Sequence, residues 1–165
     1  GINMKIRIVL LSLAMVLSVG FITQVMSSGK KKADVDPKVV KKAMISSDKG
    51  VENGKATFMK LCASCHGQSG DGNTPVAKAL KPPPRDFTKP GVKWRAGKEP
   101  AEVYNTISNG FPGSAMIGYK TSLDPIQRWE LVHFINSLAG SKGQIQVVDS
   151  KNLEKVYKDT QPSTN

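Results

Sequence analysis

A chain of 165 residues has room for one domain with appendages, but not for two full cores. Two cysteines are too few for a disulfide-stapled mini-protein or a four-thiolate metal site, and 6% aromatics exclude an aromatic-rich β-sandwich. The net charge of +11 points first to nucleic acid or a membrane surface, but +6 of it falls in residues 1–47, +4 in 48–140 and +1 in 141–165. A nucleic-acid binder needs a basic stripe on its folded unit with aromatics for stacking. Residues 48–140 show neither, so that class is set aside.

From Ile8 to Gly29 there are 22 residues without a charge. As a helix they reach about 33 Å, enough for a hydrocarbon core of ~30 Å. Lys5 and Arg7 give the positive start of an export signal, and no lipobox cysteine precedes Cys62, which excludes a lipoprotein. The run exceeds the roughly 7–15 apolar residues of a signal core. Residues 1–29 are therefore expected to be an uncleaved single-pass anchor, although the small residues Ser27-Ser28-Gly29 leave cleavage open. Lys30, Lys31 and Lys32 balance Lys5 and Arg7, so charge does not decide topology. Residues 30–47 read as a Lys-rich linker with a helical hint at Val39–Ile45, its lysines solvated or facing anionic head groups.

Leu61-Cys62-Ala63-Ser64-Cys65-His66-Gly67 contains Cys-x-x-Cys-His, a c-type haem attachment signature. Two thiols three residues apart on a helical turn can both reach the haem vinyl groups and form thioethers, and the next residue projects an imidazole at the iron. The competing readings are a thioredoxin-like redox pair, which needs a βαβ context, and half of a zinc site, which needs two more ligands. An export segment upstream favours haem, whose attachment occurs outside the cytoplasm.

Three helices flank the motif. Val51, Gly54, Phe58 and Leu61 form one stripe of a helix over Asp48–Leu61. A middle helix is expected over Pro100–Asn109, with Val103, Tyr104 and Ile107 inward and Gly110 as its C-terminal cap. The last helix is expected over Pro125–Leu138, capped by Asp124, with Trp129, Val132, Phe134, Ile135 and Leu138 inward and Gly140 as its stop.

Together these residues make 48–140 resemble a class I monohaem cytochrome c domain, an all-α fold around one covalent haem c. In that resemblance Gly54, Phe58 and Phe134 mark the crossing of the first and last helices. The segment from Asn109 to Met116 resembles the family's Gly-rich loop ending in the axial methionine, so the resemblance implies His66 and Met116 as the iron ligands; Ile117 stands where the family commonly has proline. Met4, Met15, Met26 and Met44 fall in the anchor or linker, and Met59 lies too near the haem motif. His133 is the competing ligand, otherwise a satisfied or surface histidine. The resemblance also implies that a proline carbonyl, at Pro83 or Pro84 of the run Lys81-Pro82-Pro83-Pro84-Arg85, accepts the proton of the far His66 nitrogen. Trp94 and Arg95 are candidates for a haem propionate, against an exposed Arg and a core Trp.

The expected function is single-electron transfer between membrane redox complexes, as a subunit of a respiratory or photosynthetic assembly. The haem domain is expected on the periplasmic side of a bacterial inner membrane. The alternatives are a peroxidase-like haem enzyme subunit and a haem-based sensor. Residues 141–165 read as a polar tail, with Val156 and Tyr157 able to dock on a partner.

Overall fold

Most of the described helices begin where a side chain stands in for the missing backbone acceptor. The computed structural model describes residues 35–89, 94–138, 145–146 and 148–162. Helix α1 (Pro37–Met44) is capped by Asp36, whose carboxylate accepts from Lys38 N at 2.8 Å. Helix α2 (Asp48–Leu61) is capped by Ser47 through Gly50 N at 3.1 Å. The chain kinks at Cys62 into the single turn α3 (Ala63–His66), and Thr74 caps α4 (Pro75–Ala79). Helix α5 (Pro100–Asn109) opens with Glu102 accepting from Glu99 N at 2.9 Å and closes at Gly110, whose φ of 81° suits glycine. Helix α6 (Pro125–Ser137) carries a reciprocal box between Asp124 and Gln127, and α7 (Leu153–Asp159) follows. Among the described residues the extended pairing is confined to one bridge, Gly110 with Ile117, so the all-α class holds there.

The central contact is the crossing of α2 over α6. A Cβ built on Gly54 would lie 2.0 Å from the Glu130 carbonyl oxygen and 3.0 Å from Phe134 Cβ, so only a hydrogen fits between the two backbones. The close approach brings the Phe58 and Phe134 ring centroids to 5.1 Å. Asn53 Nδ2 donates to Glu130 Oε1 at 2.7 Å beside the crossing.

Helix α6 is buried nearly all round: Arg128, Trp129, Leu131, Val132, His133, Phe134 and Ile135 are all buried. One face meets α2. Another meets α5, where Trp129 stacks on Tyr104 at 4.8 Å and Arg128 lies over the same Tyr104 and donates to Ser108 Oγ. The remaining face is covered by α1, whose Met44 has 0% of its surface exposed. His133 Nε2–H donates to the Ala43 carbonyl at 2.8 Å and pins α1 in place. Helix α7 meets α1 and α5: Lys41 pairs with Glu154 at 2.8 Å, sits 4.6 Å from the Tyr157 ring centroid, and Asn105 Nδ2 donates to the Asp159 carbonyl.

Packing therefore extends past both boundaries expected from sequence. The linker expected over 30–47 contains a docked helix, and the tail expected over 141–165 contributes the buried Ile145, Val148 and Val156. Leu61 leaves the inward stripe of α2 and is 38% exposed, because the helix ends there. The anchor expected over 1–29, Lys30–Lys32 and the stop at Gly140 lie outside the described residues. Among the described residues no helix is long and apolar enough to cross a membrane.

Three substitutions test this packing. Gly54→Ala should lower the unfolding free energy by about 1–3 kcal/mol through overpacking. Met44→Ala should cost about 2–5 kcal/mol, whereas Lys41→Ala, in a solvent-screened pair, should cost below about 1 kcal/mol. Denaturant unfolding of the full chain measures all three, and a silent Met44→Ala would show that α1 is not part of the core.

Candidate functional site

Where α2 ends, backbone bonds fold the Cys-x-x-Cys-His turn tightly. Cys65 N and His66 N both donate to the Cys62 carbonyl, at 3.1 and 2.9 Å, and Gly67 N to that of Ala63. The Gly-rich loop then doubles back: Gly72 N donates to the His66 carbonyl at 2.7 Å, and Phe87 N to that of Gly70 at 2.7 Å. These bonds bring the segment after the proline run against the His66 ring. Phe87 stacks on the imidazole with centroids 4.7 Å apart and planes 17° apart, and Phe58 backs both rings.

His66 Nδ1 lies 3.3 Å from the Arg85 carbonyl oxygen. This corrects the expectation of Pro83 or Pro84 as acceptor. The prolines set the direction of the chain, and the carbonyl that reaches the ring comes one residue after Pro84, just before the chain is tied to Gly70. Donation from Nδ1–H leaves Nε2 as the lone-pair donor. Burial holds the His66 pKa below its ordinary value against the raising effect of the Arg85 carbonyl, so the ring is neutral.

The distal loop is a closed hairpin. Gly110 pairs with Ile117, Phe111 N donates to the Met116 carbonyl at 3.1 Å, and Met116 N donates to Ser114 Oγ at 3.1 Å. A side chain on Gly110 would strike the Met116 carbonyl oxygen at 2.6 Å. Ile117, in the position where proline was expected, is 67% exposed and leaves the loop closed.

A cavity of about 390 Å³ lies between these parts. Its wall includes every site residue expected from sequence: Cys62, Cys65, His66, Pro83, Pro84, Trp94, Arg95 and Met116. Trp94 is half-buried with the Arg85 guanidinium carbon 4.2 Å from its ring centroid, and Arg95 is exposed. His133 does not line the cavity and is engaged by Ala43 on the far side of α6. Sequence reasoning missed the Arg85 carbonyl, which no side-chain pattern signals. It also missed Tyr119, another wall residue, whose hydroxyl donates to the Leu61 carbonyl at 3.2 Å.

The donor set fits a covalently held haem. Two thiols, a neutral imidazole and a thioether share one largely apolar wall. Burial, with a smaller effect of Cys65, pushes the Cys62 thiol up to about 11. A thiol that stays protonated lacks the activated thiolate of a redox pair. Among the described residues no cluster of three or more His, Cys, Asp or Glu side chains gathers to complete a zinc site.

The family model for cytochrome c matches residues 51–139, more than half of the chain. The chain belongs to the cytochrome c family. Among its relatives is the Cbb3-type cytochrome c oxidase subunit CcoP of Azospirillum brasilense, 30% identical over 91 residues, or 55% of this chain and 29% of that protein. The chain thus spans less than a third of that relative's length. A chain of the Kuenenia stuttgartiensis reducing HAO-like protein complex is 32% identical, with a TM-score of 0.48, over 59% of this cytochrome and 48% of its own length. Helices α1 and α7 fall outside the stretch that the cytochrome c model matches.

Phe87→Ala removes the ring stacked on the proximal imidazole. It should cost about 3–5 kcal/mol in denaturant unfolding of the haem-loaded protein. An unchanged midpoint would show that the stack does not hold His66.

Proposed function

We propose that this chain is a membrane-anchored monohaem c-type cytochrome that relays single electrons as a subunit of a respiratory or photosynthetic complex. The observation that carries the reading is the convergence of Cys62, Cys65, His66 and Met116 on one cavity. The Cys62 and Cys65 thiols would hold the haem by thioethers, and the His66 imidazole and the Met116 thioether would supply its nitrogen and sulfur donors. Bound there, the haem supplies an Fe(III)/Fe(II) couple that accepts one electron from a donor and passes it to an acceptor.

The chain's own residues set the conditions for that exchange. The Arg85 carbonyl fixes the His66 tautomer and orientation, and Phe87 and Phe58 keep the ring from turning. Met116 offers neutral, soft sulfur, which favours the ferrous state and raises the potential. The wall around these donors is largely apolar. With both donors held in place, little rearrangement would accompany the change in charge.

A peroxidase-like enzyme needs an open sixth position and a distal acid–base pair. His66 is the one imidazole among the described wall residues, and Met116 competes for the open position, so electron transfer is the favoured reading. The likeness to an oxidase subunit supports a place in a respiratory assembly. A fixed place in it is supported by α1: only residues 30–34 lie between the charge-free run and Val35, where the packed unit starts. The anchor reading of 1–29 puts the haem domain on the periplasmic side of a bacterial inner membrane, where haem attachment takes place.

Expression in a haem-attaching host should give a protein carrying the mass of one haem that survives denaturation. In Met116→Ala the haem should stay attached, the midpoint potential should fall, and imidazole should bind the ferric protein without denaturant. Cys62→Ala with Cys65→Ala should yield no attached haem and a poorly folded domain. A Met116→Ala protein with the native ferric spectrum would remove Met116 as ligand.

A further inference from the structure

The hairpin that carries Met116 is fastened to the rest of the molecule in two directions. Toward α5 the fastening is backbone: Tyr119 N donates to the Ile107 carbonyl at 2.9 Å and Lys120 N to that of Ser108 at 3.0 Å. Gly118 allows that approach, since a Cβ there would lie 2.6 Å from the Ser108 carbonyl oxygen. Toward the haem-attachment turn there is a side-chain fastening. The Tyr119 hydroxyl donates to the Leu61 carbonyl at 3.2 Å, joining residues 58 apart in sequence.

The choice of Leu61 has a local cause. A helix end leaves carbonyls without intrahelical partners. The α2 ladder stops at Leu61, and the amides of Cys65 and His66 both turn to the Cys62 carbonyl, which leaves the Leu61 oxygen for Tyr119. Leu61, Cys62, Met116 and Tyr119 all line the cavity, so the bond ties the segment that bears the thiols to the segment that bears the thioether. It sits toward solvent, with Leu61 itself 38% exposed, where it can break and reform without disturbing the core.

We propose that Tyr119 is a positioning residue that latches the methionine loop to the haem-attachment turn and so sets how readily Met116 leaves the sixth coordination position. The latch rests on the axial reading of Met116 and goes beyond it: it makes access of outside ligands to the iron depend on one hydroxyl remote from the metal.

The test uses the full-length haem-loaded protein, with imidazole as probe of the ferric iron. Tyr119→Phe keeps the ring and removes the donor. Its apparent imidazole affinity and binding rate should rise roughly threefold to tenfold, the span set by one net hydrogen bond. The charge-transfer band of thioether-ligated ferric haem should weaken in parallel, while the global unfolding midpoint stays near that of the parent. Gly54→Ala serves as the structural control, lowering the midpoint without raising imidazole access to the same degree. In Met116→Ala, adding Tyr119→Phe should change imidazole binding no further.

If Tyr119→Phe binds imidazole as the parent does while Met116→Ala opens the site, the latch is wrong and the axial reading stands. If access rises only in step with lost global stability, the latch is likewise wrong. If Met116→Ala and the parent bind imidazole equally, the axial reading falls and the latch with it.

Discussion

The contact between Gly54 and the Glu130 carbonyl sets the geometry of this fold. Because nothing larger than hydrogen separates the backbones there, α2 and α6 meet closely enough for Phe58 to reach Phe134. From that crossing α2 runs on for two turns and delivers Leu61 and Cys62 to the cavity, while α6 contributes Ile135 to the same wall. The thiols are thus located by a helix crossing one to two turns away from them. The haem-attachment turn is a rigid extension of the core.

On the proximal side, the orientation of His66 depends on a backbone atom. A side-chain acceptor would carry its own rotamer entropy and its own protonation equilibrium; a carbonyl fixed by its neighbours carries neither. The Arg85 carbonyl is fixed by the prolines before it and by the bond from Phe87 N to Gly70 after it. Phe87 serves twice, its amide tying down the segment and its ring covering the imidazole. Burial then keeps both His66 and Cys62 in their neutral forms, the forms suited to a metal donor and to thioether formation in an apolar wall.

The elements legible in the sequence are those whose signals are local. Asp124-Pro125 before α6, Pro100 at the start of α5 and Gly110 after it mark real boundaries, and the Cys-x-x-Cys-His turn announces its chemistry in five residues. Helix α1 shows only as the helical hint at Val39–Ile45 and α7 not at all, because each is short. The residues that bury them, Val40, Met44 and Val156, gain meaning only beside partners far along the chain, and Lys41 meets Glu154 across 113 residues. The same cause explains α6: its apolar and polar positions do not separate into two faces, because α1 covers the side that would otherwise meet water. His133, ambiguous in sequence, resolves into the bond that holds this cover. The Arg85 carbonyl stayed hidden because every residue type offers the same acceptor.

Helices α1 and α7 share no residue with the cavity wall. They join each other through Lys41 and Glu154 and meet the domain through α5 and α6. Flanking cover and cavity lining are therefore assigned to different helices among the described residues. A change at α1 meets the domain first at α6, through the Ala43–His133 bond, and a change at α7 meets it first at α5.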